Sequence, residues 1–143
     1  MYQGQVALTR SADGQLVAVV AACGADVEGA ELMDVTGENE ADLVAAWHRA
    51  RSFDDIASWV LLHPSGPWRA STSWDGVVPP MRTYQLVAGE MDGDYVDYAD
   101  PVAEPAVFDG TSLSLLRPGE YVMADKTDVR PMTEREFRDL ACR

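Results

Sequence analysis

The residues in this chain best suited to chemistry are carboxylates. From Glu90 to Asp109 the sequence carries seven of them (Glu90, Asp92, Asp94, Asp97, Asp100, Glu104 and Asp109), with no lysine, arginine or histidine among them. Tyr95, Tyr98 and Phe108 are set between the acids. Clustered oxygens beginning at Asp92-Gly93-Asp94 suit a hard cation such as calcium, but the EF-hand spacing fails. Counted from Asp92, Val96 stands where a third acid belongs, Asp97 where the loop needs glycine, and Ala103 where it needs the closing glutamate. The expectation is therefore a solvated acidic segment with no metal and no cofactor.

Catalytic chemistry fares no better. His48 and His63 are the only histidines, too few for a conventional zinc site or a histidine-activated nucleophile. There is no HExxH, no paired CxxC, no GxSxG and no phosphate-binding glycine loop. The adjacent acids Asp54 and Asp55 read as partners of a helix dipole. No enzyme activity is expected.

What the carboxylates can do is bind. A second block, Asp26, Glu28, Glu31, Asp34, Glu38, Glu40 and Asp42, also lacks any lysine or arginine, and the chain carries a net charge of −13. Such a protein is repelled by phosphate backbones and anionic membranes and attracted by basic protein surfaces. If the two blocks share a face, their carboxylates mimic a nucleic-acid backbone, while Tyr95, Tyr98 and Phe108 supply aromatic anchors. The residues expected to contact a partner are Glu90, Asp92, Asp94, Tyr95, Asp97, Tyr98 and Asp100, with Glu31, Asp34 and Glu38 from the earlier block. The expected function is stoichiometric inhibition of a basic protein, of the anti-CRISPR or anti-restriction kind. The alternatives are a virion structural or assembly protein and an immunity protein against a toxin. The chain is expected to be a monomer or small homo-oligomer that binds neither nucleic acid nor membrane directly.

The elements that must position these groups belong to one α+β domain over residues 1–143, with a largely antiparallel sheet. A chain of 143 residues, 47% of them hydrophobic, is enough for one buried core. Gln3 to Thr9 and Gln15 to Cys23 read as strands of an amino-terminal hairpin turned at Asp13-Gly14. Asn39 is placed to cap a central helix, Glu40 to Arg51, whose Leu43, Ala46, Trp47 and Ala50 form an apolar stripe. Ser52 then caps a short turn through Ile56. Further strands are expected at Trp59 to Leu62, Arg82 to Ala88, Ser112 to Leu116 and Tyr121 to Ala124, and Trp68 to Trp74 has alternating character. Pro101 and Pro105 restrict the intervening acidic stretch to loop or edge strand. Thr133-Glu134-Arg135-Glu136 is a capping box with Met132 and Phe137 as its hydrophobic staple, so a short terminal helix follows, burying Phe137, Leu140 and Ala141.

No apolar run approaches the roughly 20 residues of a membrane span. Leu16 to Cys23, the longest, lacks the basic lead of a signal peptide. Cys23 reads as a buried small hydrophobe and Cys142 as an incidental thiol, in keeping with a cytoplasmic location. Finally, Arg117-Pro118-Gly119-Glu120-Tyr121-Val122, followed by Arg130-Pro131-Met132 and Phe137, resembles the tail of many small phage and prophage proteins. The likeness covers Leu113 to Phe137. It implies a strand, a Pro-Gly turn into another strand and a final helix, in proteins that often bind host or virion partners. This chain departs from that pattern at Asp125-Lys126-Thr127-Asp128, where glycine is usual.

Overall fold

The first two strands show how the chain builds its core. β1 (Gly4–Arg10) and β2 (Leu16–Ala21) pair antiparallel around a turn in which Gly14 takes φ +86°. Val6, Leu8, Ala18 and Val20 point to one side, Ala7, Val19 and Ala21 to the other, and all are buried. A strand covered on both faces has no polar side to show, which explains the unbroken apolar run in β2. These coordinates come from a computed structural model describing residues 2–37, 41–97 and 102–143.

After β2 the chain kinks at Cys23 and Gly24, with φ 54° and 95°, and crosses into a second sheet. There follow β3 (Val27–Asp34), β4 (Asp42–Phe53), β5 (Ile56–Val60), β6 (Trp68–Thr72) and β7 (Thr83–Gly89). A small hairpin, β8 (Met91–Asp92) and β9 (Tyr95–Val96), precedes β10 (Ala103–Glu104), β11 (Ala106–Asp109) and the helix α1 (Gly110–Leu115). The chain ends with β12 (Glu120–Val122), β13 (Val129–Pro131) and the helix α2 (Glu134–Ala141).

The strands form two main sheets. The first runs β13-β12-β1-β2-β5, with β10 added in parallel beside β1, and the second runs β11-β7-β3-β4-β6. All other pairings are antiparallel. The architecture is thus mostly antiparallel sheet with little helix. Between the sheets lies the main core, which includes Leu8, Leu32, Trp47, Trp59, Trp68 and Phe108. A second cluster forms on the outer face of the first sheet, where Phe137 of α2 packs on Ala7, Val19, Tyr121 and Met123. Thr133 caps α2, accepting from the Glu136 backbone N–H, while the Glu136 carboxylate accepts from the Thr133 N–H.

Four expectations are overturned. The central helix is absent: Asp42 to Phe53 is the long strand β4, and its proposed cap Asn39 and first residue Glu40 lie outside the described residues. Ala45, Ala46 and Trp47 are buried in succession because β4 is covered on both faces, which gives an apolar spacing that imitates a helical stripe. The turn expected from Ser52 to Ile56 is instead the end of β4 and the start of β5. The strand expected at Ser112 to Leu116 is largely α1, nucleated by Asp109, whose carboxylate accepts from the Ser112 N–H at 2.8 Å. That bond, together with Lys126 at 3.2 Å, holds the Asp109 carboxyl below the usual carboxylate range.

The cysteines are the fourth correction. Cys23 and Cys142 form a disulfide across 119 residues of sequence. Docking of α2 beside β2 brings them together, a tertiary event that no local pattern announces. Arg138 of the same helix also reaches Asp55, at 2.9 Å. Among the described residues no helix is long and apolar enough to cross a membrane.

Candidate functional site

The acidic stretch that dominates the sequence is built into the fold at its beginning, by the β8–β9 hairpin. Gly93 takes φ +67° at the tip, so Asp92 pairs with Tyr95 and Met91 with Val96 across a Gly-first two-residue turn. The hairpin folds back over the outer face of the second sheet, against β3 and β7. Its base is fixed by two bonds: the Met91 N–H donates to the Glu28 carboxylate at 3.2 Å, and the Asp97 N–H donates to the Glu90 carbonyl at 2.8 Å.

Gly29 makes this docking feasible. A Cβ there would stand 2.5 Å from Met91 Sδ and 2.9 Å from the Trp47 carbonyl oxygen. Gly29→Ala is therefore expected to lift the hairpin and to cost about 1–3 kcal/mol of stability. Amide hydrogen exchange at Asp97 reads this directly. Faster exchange in the variant is the expected result, and an unchanged rate would show that Gly29 does not control the hairpin.

Beneath the tip runs a groove of about 560 Å³, bounded by Glu28, Leu43, His48, Ser71, Asp94 and Tyr95 among others. Tyr95 is 63% exposed, the most accessible aromatic side chain among the described residues. At the far side lies Arg49, whose guanidinium carbon sits 4.6 Å from the Phe53 ring centre and 5.1 Å from that of Trp68. Burial pulls its pKa down from the ordinary value, and its Nε has no hydrogen-bond partner among the described residues. The groove is thus acidic and aromatic at the hairpin side, while the Arg49 guanidinium at its margin lies over the Phe53 and Trp68 rings.

The candidate residues do not form one surface. Glu90, Asp92, Asp94 and Tyr95 are exposed on or beside the hairpin, with Asp97 at its base and Glu28 joining from β3. Glu31 lies on β3 but is only 2% exposed, so it cannot be a partner contact in this conformation. Asp34 stands at the other end of β3, roughly 20 Å of strand from Glu28. Its carboxylate accepts from the Thr36 N–H and hydroxyl and pairs with Arg82 at 3.4 Å. Partial burial opposes the effect, but those partners outweigh it and hold Asp34 below the usual carboxylate range. Phe108, expected as an anchor, is fully buried and meets Tyr84 edge-on in the core. Asp109 caps α1, and Glu104 belongs to β10, paired with Gln5. Glu38, Tyr98 and Asp100 lie outside the described residues.

Sequence reasoning missed Glu28 as a hairpin anchor, and it took His48 and Arg49 for the cationic end of a helix. Only the sheet register, which sets His48 opposite Gly29, brings them to the hairpin. Comparison with family models, with curated proteins and with solved structures finds no match.

Proposed function

We propose that the protein acts by binding, and that the β8–β9 hairpin is its recognition element for a basic protein surface, which it occupies as a stoichiometric inhibitor. The observation that carries this reading is the hairpin itself. Its tip holds Asp92 and Asp94 with the exposed Tyr95, and its base is fixed to the second sheet by Glu28. An aromatic side chain flanked by carboxylates on a supported turn offers both an anchor and attraction for lysine and arginine.

The disulfide bears on where such a partner is met. Disulfides persist in oxidising compartments and are rare in reducing cytoplasm. The Cys23–Cys142 bond therefore supports an oxidising location over the cytoplasm expected from the sequence. This moves the reading away from a nucleic-acid mimic acting inside a cell and toward a binder of a basic protein outside it. The phage likeness remains a proposal about origin. Of its expected run, Leu113 to Leu115 fall in α1, while Glu120 to Val122 form β12.

The test is titration with a fluorescent arginine-rich peptide, comparing two pairs of substitutions that change net charge equally. Asp92→Asn with Asp94→Asn is expected to weaken binding at least tenfold, and Tyr95→Ala to weaken it further. Asp125→Asn with Asp139→Asn is expected to change it less than twofold. Equal losses from the two pairs would mean that the peptide reads only the overall charge, and the hairpin assignment would be lost.

A further inference from the structure

We infer that the open edge of β5 is a self-association site, at which two copies of this chain pair β5 antiparallel to β5 about a two-fold axis through Ser58. The hydrogen-bond parity of the strand carries this. The Leu61 N–H donates to the Leu16 carbonyl at 3.1 Å and the Ala22 N–H to the Asp55 carbonyl at 2.7 Å. In an antiparallel ladder alternate residues face the neighbouring strand. Trp59 and Ala57 therefore bond to β2, while Ile56, Ser58 and Val60 direct their N–H and C=O groups away from it. Among the described residues nothing pairs with those outward groups.

Other sheet edges are protected. At β6 the ladder is broken by a bulge near Ser71, and the Arg69 guanidinium donates to the Trp68 and Gly66 carbonyls. β13 ends in Pro131, and the Val107 N–H of β11 is taken by the Met123 carbonyl. β5, Ile-Ala-Ser-Trp-Val, has no proline, no charge and no bulge, the features that ordinarily blunt an edge.

The occupant is a second copy because the ends of the strand complement each other under that two-fold. Pairing Ser58 with Ser58 sets Ile56 opposite Val60, so that each outward pair exchanges two hydrogen bonds. Continued in register, it sets Asp55 of one copy opposite Leu61 of the other and Asp54 opposite Leu62, so the acids of the two copies do not meet across the axis. Arg138, bonded to Asp55, offsets further negative charge at the same end.

Two chains of net charge −13 repel one another, and salt screens that repulsion. Association through β5 therefore strengthens with salt, whereas capture of a basic partner by the hairpin weakens with it. Sedimentation equilibrium of the intact chain over a concentration series, at low and high salt, is the measurement. The expected result is a monomer–dimer equilibrium shifted to dimer by salt. Ser58→Pro removes an outward N–H without touching the bonds to β2. Ser58→Glu places like charges opposite each other on an exposed position. Each is expected to lower the association constant at least tenfold with little change in thermal midpoint. A wild-type chain that stays monomeric at every concentration and salt, or a dimer that survives Ser58→Glu, would overturn the inference.

Discussion

Reducing the Cys23–Cys142 bond is expected to lower the unfolding free energy by about 2–5 kcal/mol, with a corresponding fall in the urea midpoint. The size follows from the loop that the bond closes, which spans 119 residues of sequence. Loop-closure entropy removed from the unfolded chain grows with loop length, so a bond that closes so long a loop stands toward the upper end of the range. The effect is concentrated at α2. A helix of eight residues does not persist alone in water, so its stability comes from docking Phe137 on the outer face of the first sheet. Without the covalent tie that docking depends on the apolar contact, the capping box and the exposed Arg138–Asp55 pair, the last contributing little. Urea denaturation with and without a dithiol, alongside Cys142→Ser, checks this. The variant and the reduced wild type should coincide, and a dithiol should leave the variant unchanged. A midpoint insensitive to reduction would mean that the bond contributes nothing to the folded state.

Trp68→Ala is expected to cost about 3–5 kcal/mol, the range for emptying a large aromatic site in a packed core. Trp68 is 2% exposed, and its ring stacks on Trp59 of the opposite sheet with centroids 3.8 Å apart. It also meets Phe53 edge-on and lies under the Arg49 guanidinium. One substitution thus opens a cavity between the sheets and removes part of the aromatic support of a half-buried cation, two penalties acting in the same direction. Trp68→Phe keeps a ring in place and is expected to lose less than half as much. Urea midpoints rank the three proteins, and a loss from the alanine variant below about 1 kcal/mol would show that the Trp59–Trp68 stack is not a structural support.

These two sites also show what could be read from the residues beforehand. The turn at Asp13-Gly14, the Pro118-Gly119 turn and the Thr133 capping box were legible because each depends on residues within four positions of one another. The helix expected at Glu40 to Arg51 failed for the opposite reason. Leu43, Ala46, Trp47 and Ala50 satisfy a helical spacing, but β4 is held as a strand by its ladders with β3 and β6 and by Trp47 packing on Trp59 of the first sheet, partners that all lie outside its own span. At Asp109 the signal was local and was overlooked: an aspartate followed three positions later by Ser112 is a cap. The acidic face was legible only in part. Glu90, Asp92, Asp94 and Tyr95 do stand exposed, yet Glu31, Asp34 and Phe108 were absorbed by burial, an ion pair and the core. Which carboxylates reach solvent depends on strand register, and composition carries no register.

The position of Cys23 at the left-handed kink between the two sheets has a mechanical consequence. A load that enters the chain ahead of Cys23 and leaves it after Cys142 passes across the sulfur bridge. It meets β1 and β2 and bypasses the intervening chain, whose extended length is roughly 400 Å. The second sheet, with its hairpin, therefore hangs outside the line of force. The chain between the two cysteines, the second sheet included, cannot be drawn out to that length for as long as the bridge stays oxidised.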